Sequence, residues 1–127
     1  MNKVDLINEW LAYSDNDMRS AEYLTTLYPQ PLEIICFHCQ QAAEKALKAF
    51  LVSIDIRPPK THDLSALMEL CGKNIHIGNL KEEVLVLNDY SVITRYPGDK
   101  DLTSQDKDEA LNSARKVINV VKKILEP

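Results

Sequence analysis

The sequence predicts an all-α fold, an up-and-down antiparallel bundle of four long or medium helices plus one short helix. Three observations carry that prediction. Apolar residues recur at spacings of three, four and seven over long stretches. No segment alternates with period two long enough to require a strand. Prolines and glycines fall between the periodic stretches, at Pro29, Pro31, Pro58, Pro59, Gly72, Pro97 and Gly98. Long helices joined by short connections pack most simply as an up-and-down bundle, with the short third helix across one end. At 127 residues the chain fits one domain, 1–127, and nothing in it repeats or is low in complexity.

The first helix is read from about Lys3 to Leu27, on the stripe Val4, Ile7, Leu11, Met18, Ala21 and Leu24, with Trp10 and Tyr23 flanking it. Tyr28-Pro29-Gln30-Pro31 breaks the pattern, and proline is best tolerated in a helix's first turn, so the second helix starts near Pro31. It runs to about Asp55, where Arg57-Pro58-Pro59 ends it. A short third helix begins at Thr61 or Asp63, either of which can cap, carries Leu64, Leu67, Met68 and Leu70, and stops at Gly72. Lys73 to Asn79 reads as a polar connection. A fourth helix spans Leu80 to about Ser91 and offers Leu80, Val84, Leu85 and Leu87 for burial. Arg95-Tyr96-Pro97-Gly98-Asp99 is a turn or loop. Thr103 caps the last helix, whose core stripe is Leu111, Ala114, Ile118, Val121 and Leu125. Asp106, Asp108 and Glu109 near its start and Lys116, Lys122 and Lys123 toward its end both suit the macrodipole.

Composition narrows the function classes. The formal net charge of −4 argues against a general polyanion binder and against sequence-specific DNA binding. The opening MNKVDLINEW has no uninterrupted apolar run of signal-peptide length, and no segment approaches the ~18 apolar residues that span a bilayer, so a cytoplasmic protein without membrane association is expected. The three cysteines read as reduced thiols. Cys36 and Cys39 spell a Cys-x-x-Cys, but Cys71, His62 and His76 stand at spacings no zinc site favours. Both are therefore read as small buried hydrophobes on the alanine-rich face, and no metal or cofactor is expected.

The second helix holds the candidate site. At ~100° per residue, Cys39, Ala42, Ala43, Ala46, Leu47 and Phe50 share one arc. His38, Gln40, Gln41, Glu44, Lys45 and Lys48 share the other, with Phe37 and Leu51 set among them. A face that mixes apolar groups with both signs of charge suggests a partner subunit or a ligand groove; the alternative is a solvated surface with two stray apolar residues. Lys45 and Lys48 lie within one helical turn, and with the fork of Arg95 they would suit a phosphate. Gln41 would read a base edge or ribose hydroxyl, Phe37 or Tyr96 would stack, and His62 would donate a proton. The structural alternative is an i,i+4 pair of Glu44 and Lys48, an Arg95 paired with Asp99 or capping a helix C-terminus, and a His62 that only fixes the start of the third helix.

The residues resemble the HEPN domain, a small all-α family, over nearly the whole chain. The resemblance rests on Trp10 with Ala12, on Phe37-His38-Cys39-Gln40-Gln41-Ala42-Ala43-Glu44-Lys45-Ala46-Leu47-Lys48-Ala49, on Thr61-His62-Asp63-Leu64 and on Thr94-Arg95-Tyr96-Pro97. It implies a bundle that commonly dimerises and is often encoded beside a minimal nucleotidyltransferase in toxin and antitoxin pairs, with many members acting as metal-independent ribonucleases. Those ribonucleases share an arginine, a polar residue and then a histidine at a spacing of four to six, at the start of a late helix near the dimer seam. Here Tyr96 to Leu102 supplies no histidine after Arg95. The literal match from Arg57 to His62 has Pro58 in the polar place and an extended path that separates its ends.

The expectation is a homodimer that is nucleotide- or RNA-associated and partners a minimal nucleotidyltransferase, non-catalytic or weakly catalytic. Its ligand or partner face would comprise Phe37, Gln41, Glu44, Lys45, Lys48, His62, Arg95, Tyr96 and Asp99. One alternative is a metal-independent ribonuclease toxin using Arg95 with a displaced histidine; another is a purely structural dimerisation module. The chain is not itself the nucleotidyltransferase, since no Asp-x-Asp follows a Gly-Ser strand turn to hold metal against a triphosphate. A Gly-rich phosphate loop, a nucleophile elbow and a His-Glu-x-x-His are also missing.

Overall fold

The computed structural model describes residues 1–92 and 96–126, within which six helices and no strand are found. Arg95 lies outside the described residues. Helix α1 (Lys3–Leu24) is capped by Asn2, whose side chain accepts from Asp5 N–H at 2.8 Å. It stops three residues short of the expected end. The hydroxyls of Thr25 and Thr26 donate back to the carbonyls of Glu22 and Tyr23, which closes the last turn locally. Leu11, Ser14, Met18 and Ala21 form its buried stripe, whereas Val4 is exposed in the first turn.

Helix α2 (Leu32–Ser53) starts with Pro31 at the cap position and ends before Asp55, which turns the chain at a φ of 63°. Its alanines, Ala42, Ala43, Ala46 and Ala49, are fully buried, so backbones approach closely there. Helix α3 (Leu64–Leu70) takes Asp63 as its cap, which accepts from Ser65 and Ala66 N–H, while Thr61 Oγ1 accepts from Asp63 N–H. Gly72 follows at φ +70°, a conformation glycine adopts freely. Asn74 then caps a single turn, α4 (Ile75–Gly78), where the sequence reads only as a polar connection. One turn is too short to show helical periodicity.

Helix α5 (Lys81–Asn88) is shorter than its expected span; it buries Val84 and Leu87 but leaves Leu85 exposed. Helix α6 (Ser104–Leu125) opens with a capping box between Thr103 and Asp106 and buries the expected Leu111, Ala114, Ile118 and Val121.

Polar pairs across the bundle set the helix directions. Ser14 Oγ donates to the Ala42 carbonyl at 2.7 Å, and Asp17 meets His38, so α1 and α2 run antiparallel. Asp15 meets Lys122 and Glu22 meets Arg115, so α1 and α6 are antiparallel too. Lys107 Nζ donates to Gln30 Oε1 at 2.9 Å, which places the starts of α2 and α6 at one end. Glu83 near the start of α5 meets Lys116 midway along α6, and Tyr90 just past the end of α5 lies near Asp106 and Glu109 at the start of α6, so the direction alternates through α1, α2, α5 and α6. The two helices that share a direction, α2 and α6, pack on each other at the centre, with α1 outside one and α5 outside the other.

Its central place corrects the expectation of an open polar face on α2. Gln40, Glu44, Lys48 and Leu51 are all buried within this single chain. No helix of the described residues is long and apolar enough to cross a membrane.

Candidate functional site

The mixed arc of α2 resolves into two clusters, each built on one carboxylate shared between an imidazole and a lysine. The first centres on Glu44. Its Oε1 lies 2.7 Å from His62 Nδ1 and its Oε2 accepts from Lys48 Nζ at 3.1 Å. Glu44 and Lys48 are adjacent on one helical face, and their side chains are only 4% and 7% exposed. A buried charge demands a partner, and here each has one. Lys48 gains a second contact, its ammonium standing 5.5 Å from the centre of the Trp10 ring.

His62 arrives on the loop between α2 and α3. Two prolines keep that loop extended, and Gln40 anchors it, its amide donating to the His62 carbonyl at 2.8 Å. Gln41 donates to Gln40 Oε1 at 2.7 Å and so orients the anchoring amide. A carboxylate can only accept, so the His62 proton sits on Nδ1, and Nε2 is the nitrogen left to meet a ligand. The ring is 67% exposed.

Asn88, the last residue of α5, closes the other side of this loop. Its Oδ1 accepts from Leu64 N–H at 2.8 Å and its Nδ2 donates to Asp63 Oδ1 at 3.0 Å. The hydrogen bond from Asn88, followed by that from Ala66 N–H, holds the Asp63 carboxyl below its ordinary value. The chain therefore leaves α5 beside the His62 loop. Beyond it, Tyr96 and Asp99 form a turn, with Tyr96 N–H donating to Asp99 Oδ2 at 2.8 Å.

The second cluster centres on Asp17 of α1. Its Oδ1 lies 2.9 Å from His38 Nδ1, and its Oδ2 accepts from Lys45 Nζ. Here the carboxylate is 13% exposed and the imidazole 27%. Phe37 is half-buried and turns a ring edge toward His38, with centroids 5.7 Å apart.

Lys45 and Lys48, expected together at one anion, thus belong to different carboxylates. Glu44, Lys48 and His62 are brought together, with Gln41 one hydrogen bond behind them. Tyr96 and Asp99 are joined to each other. The pairing of Asp17 with His38 and Lys45 is a cluster that sequence reasoning did not assemble. A signal existed, because Asp17 stands on the same face as Ser14, Met18 and Ala21, and a charge flanking a buried stripe needs a counterion.

The Cys-x-x-Cys pair is buried as expected. Burial pushes the thiols of Cys36, Cys39 and Cys71 each up to about 12, and all three are free. Among the described residues no group of three His, Cys, Asp or Glu side chains is placed to hold a metal ion.

Comparison with known proteins gives one family model, described as the HEPN domain, which matches residues 7–124. Two solved structures are similar. TT1696 from Thermus thermophilus is 27% identical, with a TM-score of 0.78 over 97% of this chain and 98% of that one. ST0689, described as an archaeal HEPN homologue, is 24% identical, with a TM-score of 0.72 over 94% of this chain and 98% of that one, a likeness of fold. No curated protein matches the chain.

Proposed function

The chain belongs to the HEPN domain family, and on that premise we propose that it is a dimeric, nucleotide- or RNA-associated partner of a minimal nucleotidyltransferase in a toxin–antitoxin-type system, with little or no cleavage chemistry of its own. The dimer and the nucleotidyltransferase come from the family resemblance. The observation that supports ligand association is the Glu44–His62 pair, an exposed imidazole held in one tautomer by a buried carboxylate. Its Nε2 is suited to a phosphate oxygen, and the guanidinium of Arg95 to a bidentate contact on the same group. Lys45 and Lys48 are already engaged by Asp17 and Glu44, so recognition falls to His62 and Arg95. Gln41 acts one bond removed from the ligand, and Phe37, Tyr96 and Asp99 complete the proposed face.

A second reading draws on the same pair. A carboxylate-oriented imidazole is also the arrangement of a general acid–base, which favours a metal-independent ribonuclease using Arg95 with His62 as its displaced histidine. One set of measurements separates the readings. As an adaptor, the chain co-purifies with a co-expressed nucleotidyltransferase encoded beside it and leaves RNA intact in EDTA, while His62→Ala and Arg95→Ala each weaken RNA binding at least tenfold. As a nuclease, it cuts RNA in EDTA and loses that activity in both variants. Neither association nor cleavage would overturn both.

A further inference from the structure

The side chain of Lys48 is only 7% exposed, and its ammonium is engaged twice, by Glu44 Oε2 at 3.1 Å and by the Trp10 ring at 5.5 Å. Its charge still acts on the exposed ring of His62, because Glu44 stands between the two. We propose that Lys48 is a positioning residue that decides whether His62 Nε2 presents a lone pair or an N–H, and that Trp10 keeps Lys48 in that role. The state of the ring follows from the geometry; only its consequence for RNA rests on the function proposed above.

Charge balance is the first argument. Glu44 is 4% exposed, and a carboxylate at that depth needs a full positive charge beside it. Lys48 supplies that charge, so His62 has only to donate Nδ1–H, and Nε2 is bare. With the lysine charge removed, the demand falls on the carboxylate and imidazole that remain, and the pair takes one proton from solvent. If that proton rests on the ring, the imidazolium carries N–H at both nitrogens. If it rests on Glu44, the carboxyl group donates to Nδ1 and the ring's own proton sits on Nε2. Both routes end with an N–H at Nε2.

The neighbouring charges do not replace Lys48. Asp63, the residue after His62, is engaged by Ser65 and Ala66 N–H and by Asn88 Nδ2. Lys45 is held by Asp17. Among the described residues, the partners of Glu44 are Lys48 and His62.

Trp10 is the second argument. It reaches Lys48 from α1, half-buried and braced edge-on by Tyr13 at 6.4 Å, and offers the ammonium a π face. An aliphatic side chain in its place would attract the cation no more than solvent does, and the lysine would be free to swing away from Glu44. The consequence reaches the ligand. A phosphate oxygen is an acceptor, so it pairs with Nε2 only when that nitrogen carries a proton. Anion binding therefore brings a proton with it, and the charge of Lys48 opposes that uptake. Removing this buried lysine should tighten the hold on a polyanion, the reverse of what losing a surface lysine does.

The test reads the ring nitrogens by long-range proton–nitrogen NMR of the full chain at pH 8, where the three histidines give few signals and His62→Ala identifies its own. The parent is expected to show His62 protonated at Nδ1 and bare at Nε2. Lys48→Met should convert Nε2 to N–H, and Lys48→Met combined with Glu44→Gln, which removes both charges, should restore the bare nitrogen. Trp10→Leu should move the ring in the same direction by a smaller amount, and Trp10→Phe, which keeps an aromatic face, should read like the parent. With a labelled RNA oligonucleotide, Lys48→Met should bind at least threefold more tightly than the parent. A Lys48→Met ring unchanged from the parent overturns the proposal, and if that variant does not fold, an unchanged ring in Trp10→Leu does the same. Weaker RNA binding by Lys48→Met would make the lysine an ordinary phosphate contact and also overturn it. A ring that responds as expected in a protein that binds no RNA upholds the role of Lys48 and removes the RNA reading instead.

Discussion

Two carboxylates, Glu44 and Asp17, do the same chemical thing at different depths. Each holds an imidazole through Nδ1 and a lysine through its other oxygen. Glu44 takes its lysine from its own helix and its histidine from a loop, so its cluster ties a loop down onto α2. Asp17 stands on α1 and takes both partners from α2, so its cluster ties two helices together. The buried pair has no water to fall back on when a partner is lost, whereas the shallower one does. One motif of charges thus becomes a structural core element or a surface feature according to what packs over it.

The largest effect that would test this contrast is Glu44→Ala. It strands the buried ammonium of Lys48 and should cost about 3–5 kcal/mol in urea unfolding. Asp17→Ala should cost less, about 1.5–3 kcal/mol, because solvent reaches the cations it releases. Equal losses in the two variants would erase the distinction. His62→Ala, at an exposed ring, should change stability by less than about 1 kcal/mol while still weakening RNA binding. A large loss of stability there would make His62 a structural clamp and nothing more.

Two smaller effects refine the picture. With thiols raised to about 12, Cys36, Cys39 and Cys71 should stay unreactive toward a disulfide reagent at pH 8 in the native protein and all react in urea. Asp63 is held below its unfolded value, so its contribution is complete above about pH 4 and is lost as pH falls through the folded value. Asp63→Asn should therefore lower stability slightly in the neutral region and converge with the parent as pH falls, which flattens the acid limb of the stability profile.

Much of the fold was legible because α1, α2 and α6 are long enough for periodicity to average over single exceptions such as Val4. Side-chain caps were legible at Asp63 and Thr103 but not at Asn2 or Asn74. The single turn of α4 was not, since four residues carry no period. The site was only partly legible. A helical wheel orders residues by angle but does not say how many neighbours a helix has, and α2 has neighbours on nearly every side. Hence Glu44 and Lys48 read as surface groups although they are interior. The separation of Lys45 from Lys48 depends on where Asp17 sits across the α1–α2 contact, which spacing within one helix cannot reveal.

Asn88 should also govern how the molecule opens. Helices of seven and eight residues are too short to persist alone in water, and one amide side chain joins the start of α3 to the end of α5. These two segments should therefore exchange their amide protons with solvent as a single cooperative unit, at one shared rate, and Asn88→Ala should split that rate into two.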